Sequence, residues 1–154
     1  MPAAKLKEFL DTNGVKYVAI RHSLAYTAQE VAASAHVRGK EMAKTVVAQI
    51  DGSLALIVIP AARKVDVDKV REAAGATKVS IATEWDFRNA FPDCELGAMP
   101  PFGNLFGMRV FVDPILSRDE EIAFNACSHT EVIRLAYADF ERLVKPTVAP
   151  VAFS

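Results

Sequence analysis

Three places in this chain carry residue types that do chemistry. They are Lys44 at the start of an apolar run, a glycine- and proline-rich stretch over residues 97–107, and Asn125-Ala126-Cys127-Ser128-His129. Lysine brings a compact charge with three donors, suited to a phosphate or a developing oxyanion. An exposed lysine at a strand edge fits the same position. In the loop, glycine lets the backbone approach a ligand with its amide free to donate, and proline limits the ordering entropy spent on binding. Such a loop can cradle a carbonyl or a sugar hydroxyl, or serve as a rigid crossover. It lacks the phosphate-binding fingerprints of dinucleotide or triphosphate sites. His129 at a strand entrance suits a hydrogen-bond donor, a general base or a water holder, or a satisfied polar residue. Its adjacency to Ser128 makes no triad, because neighbouring strand side chains point to opposite faces.

Other candidates are weaker. Cys94 and Cys127 form no disulfide framework and no metal-ligand spacing, so each is expected to be a reduced, buried small residue. His22 and His36 have no carboxylates or cysteines at ligand spacing, though His22 can rim a pocket. No metal or cofactor is expected.

Positioning these residues requires a folded core, and the composition supplies one. The chain has 154 residues, 51% hydrophobic and 24% charged, which suits one globular domain over residues 1–154. The net charge of −1 argues against a general nucleic-acid coat but not against a protein touching the tip of an RNA. No basic and apolar leader opens the chain, and the apolar run over residues 54–62 is too short to span a membrane. The reading is a soluble, cytoplasmic protein.

Helices are expected over residues 3–13, from Thr27 through about Ala35 behind a capping box, from Asp66 to Ala74, from Thr83 and from Asp139. Strands are expected around Tyr17 to Ile20, over residues 45–50 and 54–59 with Asp51-Gly52 as a type I′ turn, and near 79–81, 108–112, 122–126 and 130–135. The strand over 54–59 is almost wholly apolar, so both its faces should be covered. The tail after about residue 146 looks loosely held. Helices outside a run of mostly hairpin-connected strands make an α+β domain around a mixed sheet.

Taken in order, the segments resemble the YbaK/EbsC-type, prolyl-tRNA synthetase-associated family of aminoacyl-tRNA editing domains. The resemblance is carried by His22-Ser23, Thr27-Ala28-Gln29-Glu30-Val31-Ala32, Lys44-Thr45-Val46-Val47, Gly97-Ala98-Met99-Pro100-Pro101-Phe102-Gly103 and Val110-Phe111-Val112-Asp113. It continues through Phe124-Asn125-Ala126-Cys127-Ser128-His129-Thr130-Glu131 and Tyr137-Ala138-Asp139-Phe140, nearly the whole chain.

The resemblance implies a twisted mixed sheet, partly closed, with helices around it. It implies a deacylase that clears wrong amino acids from tRNA in trans, acting on the acceptor end, with prolyl-tRNA synthetase as a candidate partner. Lys44 and His129 would be the catalytic residues. Thr45, Gly97, Ala98, Met99, Pro100, Pro101, Cys127 and Ser128 would bind substrate. A small wrong residue such as cysteine or alanine on tRNA for proline is the expected substrate. Cys127 departs from the family, which usually has glycine there, a residue able to hold positive φ or admit substrate. Two rivals keep the fold: a binding module for a tRNA end or a synthetase, and a hydrolase of another small acyl ester or thioester.

Overall fold

The structure, a computed structural model, describes residues 3–22 and 41–154. Leu6 and Leu10 fall on the buried side of helix α1 (Ala4–Thr12), which ends at Asn13. Strand β1 (Tyr17–Arg21) follows. The helix expected from Thr27 lies outside the described residues.

Strands β2 (Ala43–Ile50) and β3 (Ser53–Pro60) pair antiparallel from Ala43–Pro60 to Ile50–Ser53. Asp51 and Gly52 both take positive φ, 49° and 86°, as a type I′ turn requires. Next come β4 (Lys64–Val65), α2 (Val67–Ala74) and β5 (Val79–Ile81). Asp66 caps α2 through the amides of Asp68 and Lys69. Helix α3 (Glu84–Phe87) has the full capping box of Thr83 and Asp86.

After the long loop come β6 (Arg109–Val112), α4 (Pro114–Ser117), β7 (Glu121–Asn125), β8 (Glu131–Ala136) and α5 (Tyr137–Val144). Two-residue strands β9 (Thr147–Val148) and β10 (Ala152–Phe153) close the chain. The sheets run β5-β2-β3-β6-β9, β1-β8-β7 and β10-β4, with β3–β6 and β6–β9 parallel. This is the α+β architecture with a mixed sheet that the pattern predicts.

Both faces of β3 are covered. Leu56 and Val58 join a core with Phe102, Phe124 and Phe140, while Ala55, Ile57 and Ile59 join a second with Val70, Phe111 and Val151. Each buried leucine, isoleucine or valine among them contributes about 1.5–3 kcal/mol. Across the first core, Lys7 on α1 reaches Glu131 on β8 at 2.7 Å.

The tail is a correction. Rather than lying loose, residues after Pro146 pair β9 with β6 and β10 with β4, and Val151 is fully buried. Asp113, itself buried, accepts the amide of Ile115 at 3.2 Å and that of Val151 at 3.2 Å. One carboxylate therefore caps α4 and anchors the tail.

Candidate active site

The loop is fixed by its aromatic anchor. Phe102 is fully buried, 5.5 Å from Phe124 and 5.7 Å from Phe140 between ring centroids, so the five residues before it have a rigid base. Gly103 follows because nothing larger fits: a Cβ there would stand 2.5 Å from the Met108 carbonyl oxygen. Ala98, Met99, Pro100 and Pro101 are buried, leaving Gly97 exposed at the loop's crest.

This loop lies against the segment entering β8. Cys127 N–H donates to the Ala98 carbonyl at 2.9 Å, and Glu95 N–H donates to the Cys127 carbonyl at 2.9 Å. His129 is 8% exposed, and its Nε2 lies 3.5 Å from where a Cβ on Gly97 would stand. Gly97 has φ 87°, a backbone that side chains with a Cβ rarely adopt. Glycine thus keeps the turn unstrained and puts no side chain of its own against the imidazole.

The loop amides are partly engaged. Ala98 N–H donates to the Glu95 carbonyl at 3.1 Å, and Gly97 N–H to the Met99 sulfur at 3.1 Å. A thioether is a weak acceptor, so an incoming carbonyl oxygen is the stronger partner for the Gly97 amide. The Ser128 hydroxyl pairs with that of Thr130 at 2.8 Å and accepts the Thr130 amide at 3.1 Å, shaping the turn that presents His129.

Lys44 stands on a different strand, β2. Met42, just before β2, forms an isolated parallel bridge with Ala123 on β7. Lys44 and Asn125 each lie two residues beyond it in the same sense, and residues 127–129 follow Asn125. Burial holds the Lys44 ammonium below the usual lysine range, with the Lys64 charge as the lesser cause. Thr45 Oγ1 and Asn125 Oδ1 are buried and have no hydrogen-bond partner among the described residues. Buried polar atoms left unpaired in this way cost about 1–3 kcal/mol each, a cost that a hydrogen-bonding ligand removes.

The loop and the 127–129 segment are therefore in contact, whereas no described contact joins Lys44 to either. The cysteines are a correction. Expected as reduced thiols, Cys94 and Cys127 are joined by a disulfide with their Cα atoms 4.2 Å apart. The fold brings together two residues 33 apart in sequence, a proximity no spacing rule reveals. Cys127 holds φ 65°, so the backbone keeps the left-handed conformation suited to glycine although the residue is cysteine. Beside the disulfide lies a cavity of about 40 Å³ lined by Leu6, Pro92, Pro100 and Phe106, room for roughly one water. Asn125, part of the segment the sequence singles out, closes β7. Glu95 was missed, and nothing in its local sequence marks it.

A family description, the aminoacyl-tRNA editing domain, matches residues 22–143. The chain belongs to that family. The editing domain is 25% identical over 150 residues to the multifunctional Ser/Thr-tRNA deacylase ProXp-y of Escherichia coli K12, covering 92% of this chain and 87% of the relative. A candidate trans-editing enzyme for prolyl tRNA synthetase superposes with a TM-score of 0.83 at 20% identity, covering 99% of this chain and 97% of that one. A hypothetical protein superposes with a TM-score of 0.87 at 20% identity, covering 97% and 99%. These two likenesses establish the fold. Family membership makes the editing domain an aminoacyl-tRNA deacylase, an ester hydrolase. No helix among the described residues is long and apolar enough to cross a membrane.

Proposed function

We propose that this editing domain acts in trans on a tRNA carrying a small wrong amino acid, with tRNA for proline bearing alanine or cysteine as its substrates and prolyl-tRNA synthetase as a partner. The observation that carries the chemistry is the Gly97 amide, held by a thioether alone, beside the buried His129 imidazole. An aminoacyl ester is already activated, so its hydrolysis needs positioning and charge stabilisation more than a strong nucleophile. The Gly97 amide takes the ester carbonyl, exchanging sulfur for oxygen. His129 orients the terminal ribose or a water. Lys44 contacts the terminal nucleotide or balances developing negative charge.

A second substrate reading has its own support. The unpaired Thr45 Oγ1 and Asn125 Oδ1 suit a hydroxyl-bearing amino acid, in keeping with the Ser/Thr-tRNA relative. A pocket separates side chains by one methylene with about 1–3 kcal/mol, so small substrates should differ by roughly 10- to 200-fold.

The test is a deacylation panel of alanyl- and cysteinyl-tRNA for proline with seryl- and threonyl-tRNA. Fastest turnover of the first pair supports the proline reading, and fastest turnover of the second supports the hydroxyl reading. Lys44→Ala is expected to lower kcat by about 100-fold; a wild-type rate in that variant removes Lys44 from the mechanism.

A further inference from the structure

His129 meets one carboxylate oxygen twice. Glu95 Oε2 accepts the backbone N–H of His129 at 3.3 Å and stands 3.4 Å from its ring Nδ1. A carboxylate oxygen only accepts, so this approach favours the neutral ring with its proton on Nδ1. Nε2 is then the acceptor nitrogen, and it is the one beside Gly97.

The Glu95 backbone is pinned between the same two segments. Its N–H donates to the Cys127 carbonyl, its carbonyl accepts from Ala98, and the Ala98 carbonyl accepts from Cys127. A residue held this firmly presents its side chain at a set place, although that side chain is 44% exposed. Exposure gives the carboxylate no packing role to explain its orientation toward the ring.

We propose that Glu95 is a positioning residue for deacylation, orienting the His129 ring with its proton on Nδ1 so that Nε2 faces the ribose hydroxyl or water beside Gly97. The proposal rests on the role given to His129 above. A merely structural Glu95 would hook the loop to the β8 entrance through the backbone N–H of His129 and leave the ring indifferent.

Glu95→Gln separates the two. It keeps the shape and an oxygen acceptor for the backbone amide, but its NH₂ can equally face the ring, so the tautomer is no longer fixed. The measurements are the ¹⁵N shifts of the His129 ring, and kcat and KM for deacylation in Glu95→Gln, His129→Ala and the double variant. The expected result is a mixed tautomer signal in Glu95→Gln, with kcat down by about tenfold or more and KM little changed. In the His129→Ala background, Glu95→Gln should cost nothing further. An unchanged ring signal with unchanged kcat overturns the proposal, as does a full Glu95→Gln loss in the absence of the imidazole. A wild-type rate in His129→Ala sinks the reading of His129 and this proposal with it. A damaged His129→Ala beside a silent Glu95→Gln sinks the role of Glu95 alone.

Discussion

The Lys44 ammonium is depressed by two causes of unequal size, and they can be separated. Burial is the larger and the Lys64 charge the smaller. Lys64→Gln removes the repulsion and leaves the burial, so the Lys44 titration should move to higher pH yet stop short of ordinary lysine. An NMR titration of the Lys44 side chain checks this, and an unmoved curve would show that Lys64 is screened from it. At this scale the sequence was informative about residue types and poor about partners. Gly97 was legible as a residue chosen for its backbone, and its φ of 87° shows why. The Glu95 carboxylate beside His129 is a product of chain crossing, two segments 34 residues apart brought together, which no local pattern encodes.

Among the elements, those with local causes were readable. The β2–β3 hairpin follows from Asp51-Gly52, and α2 and α3 from caps two or three residues from their targets. The two-residue strands β4, β9 and β10 were not, because nothing within them distinguishes a strand from a loop; their pairing comes from residues far away in the chain. Asp113 links the two kinds of element. Asp113→Ala should uncap α4 and leave the buried Val151 amide unsatisfied, for a combined loss of about 2–4 kcal/mol. Urea unfolding measures it, and hydrogen exchange at Val151 should speed up in the same variant. A loss below about 0.5 kcal/mol would mean the tail holds without its anchor.

For the molecule as a whole, the cross-link between Cys94 and Cys127 spans 33 residues and joins the segment before the active-site loop to the turn before β8. Chain-entropy reasoning gives such a closure about 3–4 kcal/mol. Thermal melts with and without reductant should therefore differ by roughly 10 °C, with the reduced protein melting lower. Coincident melts would mean the bond adds nothing in solution. Position 127 then has a meaning beyond the site. Its turn has the left-handed backbone that suits the family's usual glycine. Glycine there would relax the native turn, but it would also enlarge the denatured ensemble twice over, through its own freedom and through the opened 33-residue loop. The exchange of glycine for cysteine shifts the burden of holding this turn from native-state fit to denatured-state entropy, so a single substitution here can change how long the protein survives at high temperature.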